Sequence, residues 1–313
     1  MDAPVAELEA ERSIPAPAAR PATWRRLLHN WSVRIGGGLL ALLAAVSLLA
    51  PGLGTIDPTL IDPVNRDLLP GVQGQVMLLT GETFDHKFLM GTDSYGRDIY
   101  SRVLYGGRVS LVVGVTVAVL SLLFGTLIGL AAGYVRALDA VVMRVMDGLM
   151  AIPGILLAIA LVAMWRASLV TVIVAITVPE IPRVVRLVRS LVLTIREEPY
   201  VEAARSVGTP VIPMLYRHIL PNTVAPLIVQ GTYICASAIL VEAILSFLGV
   251  GLPTDIPTWG NIMAEGRLQF QQFPHNVLFP GVFLAVTVLA VNMLGDGLRD
   301  TLDPRFSKRG DRP

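Results

Sequence analysis

The chain has 313 residues, of which 53% are hydrophobic and only 16% charged, and its mean hydropathy of +0.64 is too high for a soluble domain that must cover itself with charge. A formal net charge of +1 leaves no global basic excess, which argues against nucleic acid as a partner. The single cysteine, Cys235, lies inside an apolar run, so it has no mate for an intrachain disulfide and no neighbour for a Cys-based metal site.

Residues 1–23 are rich in Ala and Pro, as in Ile14-Pro15-Ala16-Pro17, and show no periodicity, which predicts a tail without a packed core. Trp24, Arg25, Arg26 and Trp31 then mix aromatic and basic groups as an interfacial segment does, ahead of an apolar run from Ile35 to Ala50 that Pro51-Gly52 ends. Residues 1–34 are thus expected as tail and interfacial segment, and 35–54 as the first membrane helix. The long Pro-rich leader and the apolar runs that follow argue against a cleaved signal peptide. Further runs at about 109–133, 148–165, 168–182, 224–249 and 278–295 approach or exceed the length that crosses a hydrocarbon core of about 30 Å. The expected architecture is an all-α membrane protein with six transmembrane helices.

Six spans place both termini on one side, and eighteen of the 25 Lys and Arg residues fall in segments on that side. The positive-inside rule makes that side cytoplasmic. Residues 51–108 and 250–277 are then external, and 183–222 form a long cytoplasmic segment. In the first external segment, Thr92 or Asp93 is expected to cap an interfacial helix whose Ile99, Val103 and Leu104 face lipid or protein while Arg97, Asp98 and Arg102 stay wet. In the second span, Gly125, Gly129 and Gly133 recur every four residues, the pattern that lets another helix approach closely. The fourth run carries Pro179, Glu180 and Pro182 and continues as an amphipathic helix with Arg183, Arg186 and Arg189 at three-residue spacing.

No G-x-x-x-x-G-K-[ST] occurs, and the only lysines, Lys87 and Lys308, follow His86 and Ser307 rather than glycine, so no P-loop binds ATP in this chain. The four histidines lie in separate segments, and neither G-x-S-x-G nor H-E-x-x-H occurs. These absences point away from an enzyme active site and from a metal centre. The richest stretch is cytoplasmic. In Glu197-Glu198-Pro199-Tyr200-Val201-Glu202-Ala203-Ala204-Arg205-Ser206-Val207-Gly208, Pro199 suits the first helical position, acids precede it, Arg205 falls in the last turn and Gly208 suits a left-handed cap. Thr209-Pro210 then begins a second short helix, with Ile212, Leu215 and Ile219, that Leu220-Pro221-Asn222 is expected to stop. Within the fifth run Glu242 would cost roughly 2.5–3.5 kcal/mol if it faced lipid as a carboxylate, so it should face the bundle, a partner or a pathway.

Glu202-Ala203-Ala204, Gly208 four residues beyond, and Ile219-Leu220-Pro221 resemble the "EAA" loop of binding-protein-dependent ABC importer permeases. Where the general pattern places Ile, this chain has His218, and His218-Ile219-Leu220-Pro221-Asn222 is similar to the oligopeptide, dipeptide and nickel branch. Met90-Gly91-Thr92-Asp93-Ser94-Tyr95-Gly96-Arg97-Asp98, with Gly107-Arg108-Val109-Ser110-Leu111, resembles the segment leading into that branch's second span. Gly295-Asp296-Gly297-Leu298-Arg299-Asp300 and Leu302-Asp303-Pro304-Arg305 resemble its end. The likeness runs from about residue 85 to 306.

The resemblance implies a type I ABC importer transmembrane fold with a core at 108–297, an external segment at 55–107 and a cytoplasmic tail at 298–313. It implies that the loop 195–222 is a coupling element, carried by Glu198, Tyr200, Val201, Glu202, Ala203, Ala204, Arg205, Gly208, Leu220 and Pro221. It further implies two separate ATPase subunits that hold ATP and Mg, a homologous second permease, an extracytoplasmic solute-binding protein, and no cofactor in this chain. Glu242 to Gly249 is similar to a recurrent family segment, where Glu242 and Ser246 either contact the pathway or satisfy an interhelical hydrogen bond. The implied cargo is di- or oligopeptide; nickel or another small solute is the alternative within the family. An ion-gradient-driven secondary transporter and a membrane scaffold are the alternatives outside it, and the poverty of intramembrane charge and lack of a visible inverted repeat count against the former.

Overall fold

The computed structural model describes residues 27–302 apart from Leu79. The Pro-rich leader, Trp24 to Arg26 and the Asp303-Pro304-Arg305 segment therefore lie outside the described residues. Helix α1 (Trp31–Leu48) starts at Asn30, whose side chain accepts hydrogen bonds from the backbone N–H groups of Ser32 and Val33. This satisfies two of the donors that a helix leaves without partners in its first turn.

A β-hairpin follows, which the all-α expectation did not contain: β1 (Val72–Met77) pairs antiparallel with β2 (Thr83–Phe88), in a register that places Val72 opposite Phe88 and Met77 opposite Thr83. Val76 and Phe88 are buried on one face, and His86 stands edge-on to Phe88 at 5.0 Å between ring centroids. The alternation is short and interrupted by polar residues, so only its docking on the segment around Asn65 selects a strand. Asn65 Nδ2 donates to the Gln75 carbonyl at 2.8 Å and to Asp62 at 2.7 Å.

Helix α2 (Ile99–Tyr134) runs for 36 residues without a break. Its N-cap is Asp98, whose carboxylate accepts from the Ser101 N–H at 2.9 Å, so neither Thr92 nor Asp93 caps it. The residues expected to form a separate interfacial helix are its first turns. The next expected span, 148–165, is not one helix. Helices α3 (Arg136–Met150) and α4 (Gly154–Met164) meet at 87° across Ala151-Ile152-Pro153. Proline fixes its φ and supplies no N–H, and eleven residues of α4 extend about 16 Å, roughly half a hydrocarbon core.

Helix α5 (Leu169–Ile195) continues through Pro179 and Pro182. Its arginines are paired: Arg183 with Glu180, Arg186 with Asp147 at 2.6 Å, and Arg189 with Asp139 through Nη2 at 2.7 Å. The charged face thus binds α3. The opposite face packs on α2, where the four-residue glycine spacing meets Val184, Val188 and Val192; a Cβ placed at Gly129 or Gly133 would come within 2.7 Å of the Cβ of Val188 or Val192. That close approach is the packing expected of small residues spaced one turn apart.

After the loop 195–222, α8 (Leu220–Phe247), the short α9 (Trp259–Gly266) and α10 (His275–Leu302) complete the bundle. Helix α10 packs against α1 and α8. Among the described residues, four helical segments suffice by length and composition to cross a membrane, or five when the bent α3–α4 pair is taken as one, where six were expected. Helix α5 is long enough, but Glu180, Arg183 and Arg186 interrupt its apolar run.

Candidate functional site

The loop 195–222 holds α6 (Pro199–Ser206), eight residues long, with Glu198 at the N-cap in extended geometry and Pro199 at the position where a missing N–H costs nothing. Glu202 lies in the first turn and Arg205 in the last, each matching the sign of the helix dipole. The helix ends in a Schellman motif: the Gly208 N–H bonds to the Arg205 carbonyl at 2.9 Å and the Thr209 N–H to the Ala204 carbonyl at 3.1 Å, with Gly208 at φ +83°. That left-handed conformation is costly for a residue carrying Cβ.

The second short helix, α7 (Val211–Met214), does not stop at Leu220-Pro221. It passes through one π turn (Leu215–Ile219) directly into α8. Pro221 sits in the first turn of α8, where its lack of an N–H is tolerated, and the widened turn before it absorbs the mismatch in the helical ladder. Consequently the loop is continuous with a 28-residue helix through the bundle.

Of the ten residues implied for this loop, Val201 is fully buried, Ala204 and Leu220 are partly so, and Glu198, Tyr200, Glu202, Ala203, Arg205, Gly208 and Pro221 are exposed. Val201, Met214 and Ile219 join the same core as Val188 and Val192 of α5. Tyr200 accepts a hydrogen bond from Asn222 Nδ2 at 3.0 Å, and the same amide donates to the His218 carbonyl at 2.8 Å. Partial burial, with Glu198 nearby, raises the Tyr200 phenol above its usual range. On the outer side, Val207, Ile212 and Tyr216 are 87%, 75% and 59% exposed. Sequence reasoning did not single out this apolar trio; the signal was apolar residues at positions that a short, well-capped helix pair cannot bury.

Glu242 and Ser246 lie elsewhere. Glu242 is fully buried; its carboxylate accepts from Ser246 Oγ at 2.8 Å and from Ser110 Oγ of α2 at 3.4 Å, and Ser246 Oγ accepts from the Leu252 N–H at 3.3 Å. The group joins α8, α2 and the turn that carries Leu252.

The segment 55–107 departs most from expectation. Arg97, Asp98 and Arg102 are not wet: they are 6%, 0% and 0% exposed. Arg97 Nε donates to Asp93 at 2.8 Å and its Nη2 pairs with Glu265 of α9, which also lies 3.1 Å from Arg102 Nη2. Burial pushes the Glu265 carboxyl up, against the opposing pull of Arg102 and Arg97. Trp259 closes the same junction by donating from Nε1 to the Val103 carbonyl at 3.0 Å. The chain is brought back by α9, some 160 residues later, so no local pattern could announce the burial. Among the described residues, no three His, Cys, Asp or Glu side chains stand together in a way that would hold a metal ion.

Residues 108–308 match the model of the family described as binding-protein-dependent transport system inner membrane component. The chain belongs to that family and is a permease subunit of such a system. It is similar to the "Probable peptide ABC transporter permease protein y4tQ" of Sinorhizobium fredii, at 50% identity over 88% of this chain and 90% of that one. It is similar also to the "Dipeptide transport system permease protein DppC" of Alkalihalophilus pseudofirmus, at 40% identity over 90% and 89% of the two chains. The "Glutathione transport system permease protein GsiD" of Pectobacterium atrosepticum is 38% identical over 90% of each.

Proposed function

We propose that this permease is one transmembrane half of an importer for short peptides, driven by two separate ATPase subunits that bind ATP and Mg. In this reading it pairs with a homologous permease, receives solute from an extracytoplasmic binding protein, and has six spans in the type I importer fold with a core at 108–297 and both termini cytoplasmic. Peptide cargo is supported by the relatives named for peptide, dipeptide and glutathione transport. Nickel or another small solute remains the alternative cargo.

The observation that carries the reading is the loop. Its outer face presents Val207, Ile212 and Tyr216 beside Glu202 and Arg205, while Val201, Met214 and Ile219 anchor its inner face to α5. A rigid knob with an apolar tip, continuous with α8, is suited to be gripped by an ATPase and to pass that motion into the bundle. Glu198, Tyr200, Val201, Glu202, Ala203, Ala204, Arg205, Gly208, Leu220 and Pro221 are the proposed coupling residues. Glu242 and Ser246 are proposed to hold α8 to α2 along the pathway.

The test is ATP-dependent peptide uptake in vesicles containing the full complex, comparing wild type with Gly208→Pro and Glu202→Arg and checking ATPase co-purification. Proline is incompatible with the positive φ at position 208, and arginine reverses the charge at the helix start. Uptake and ATPase association are expected to fall together in a permease that still folds; normal transport in both variants overturns the assignment.

A further inference from the structure

Two interruptions of the helical framework converge on one place. Pro179 within α5, with Pro182 one turn further along, and the break at Ile152-Pro153 between α3 and α4 come together at a single cleft of ≈ 290 Å³, which Pro179, Ile152 and Pro153 line. The prolines leave the carbonyls of Ala175 and Val178 without their helical i+4 donors. The cleft lining is mixed: Met150, Ile176 and Val241 are apolar, and Glu180, Arg183 and Ser237 are polar.

Glu180 is 6% exposed, whereas the Arg183 side chain at the rim is 56% exposed. Arg183 Nη1 donates to both Glu180 oxygens, at 3.1 and 3.2 Å, and Ser237 Oγ of α8 donates to one of them at 3.4 Å. Among the described residues only Nη1 of that guanidinium is engaged, so Nε and Nη2 remain open to a ligand. At about 1.5 Å per residue, Glu180 is roughly 16 Å along α5 from its start at Leu169, about half of a hydrocarbon core of about 30 Å, and α5 runs on to Ile195, so in this reading its span reaches beyond residue 182, where the apolar run ends. An ionisable pair at that depth, beside interrupted helices and an open cleft, has the features of a solute site rather than of lipid-facing packing.

We propose that Glu180 and Arg183 form a mid-membrane binding site for a zwitterionic solute, Glu180 taking its ammonium group and Arg183 its carboxylate. The proposal deepens the peptide-import reading and rests on it. The physical logic is charge balance. The resting pair is neutral, and a zwitterion entering between its members converts one neutral pair into two, so no step leaves a net charge beside the buried Glu180. A singly charged solute would leave one, at substantial cost. The free termini of a short peptide meet this requirement, and Ser237 offers a hydroxyl on the opposite wall.

The test measures ATP-driven uptake of three dipeptides in vesicles holding the full complex: alanyl-alanine (neutral), lysyl-alanine (net positive) and alanyl-glutamate (net negative). All three keep both free termini. Glu180→Gln leaves the site net positive and is expected to raise the ratio of acidic to neutral uptake; Arg183→Gln leaves it net negative and is expected to raise the ratio of basic to neutral uptake, each by roughly fivefold or more. Each ratio is internal to its variant, so a reduced yield of complex cancels. Arg183 is half-exposed, and its arm of the experiment decides the matter alone if Glu180→Gln fails to assemble. A purely structural role would lower all three peptides alike, and ratios within twofold of wild type overturn the site while leaving the peptide reading intact. A wild-type complex that takes up none of the three overturns the peptide reading itself.

Discussion

At the end of the bundle that holds the hairpin and α9, Asp93, Arg97, Arg102 and Glu265 have side chains no more than 12% exposed, and each charge meets an opposite one from the same chain. At the end that holds α6 and α7, Val207 and Ile212 are 87% and 75% exposed, and the one ion pair of the loop among the described residues, Arg196 with Glu197 at 3.9 Å, lies before α6. The hairpin tier closes on itself: the hairpin, the start of α2 and α9 supply one another's partners. The loop buries only its inner face and leaves apolar side chains that gain nothing from water. A region that is self-sufficient fails by unfolding, while one that awaits a partner fails by losing that partner.

Substitutions separate these two modes of failure. Arg102→Ala leaves the Glu265 carboxylate buried with one fewer cation and is expected to cost about 3–5 kcal/mol, seen as a large drop in the thermal melting point of the purified permease and poor recovery of folded protein. Gly129→Val, at the contact of α2 with α5, forces the helices apart and is expected to cost about 1–3 kcal/mol by the same melting measurement. Tyr200→Phe removes one half-exposed hydrogen bond to Asn222 and is expected to cost no more than about 0.5–1.5 kcal/mol. Ile212→Asp touches only the exposed tip, so its melting point is expected to stay within about 0.5 kcal/mol of wild type, yet ATPase co-purification is expected to be lost. If Ile212→Asp destabilised the isolated permease as much as Arg102→Ala, the contrast between the two ends would collapse.

The loop was legible because its determinants are local. Pro199, Glu202, Arg205 and Gly208 act on the backbone within a few residues of themselves, and the Schellman motif follows from one residue able to adopt positive φ. The glycine spacing in α2 was legible for the same reason, since a period of one helical turn defines a face. The end of α7 was misjudged because Pro221 breaks a helix only where an N–H is needed, and the π turn before it removed that need. The charges at the start of α2 were misjudged because Arg97 and Arg102 look solvated beside their sequence neighbours, and only α9 arriving with Glu265 and Trp259 makes them a core.

The sequence by itself determined the membrane class, the capped loop and the family, because composition and local periodicity act through short-range backbone and solvation preferences. Tertiary structure alone decided that the 148–165 run bends into two helices, that Arg97 and Arg102 are buried, that Glu242 is enclosed between α2 and α8, and that Glu180 and Arg183 face a cleft beside that bend. Those outcomes depend on residues distant in sequence meeting in space, and the cost of a buried charge is set by whichever partner the fold brings to it.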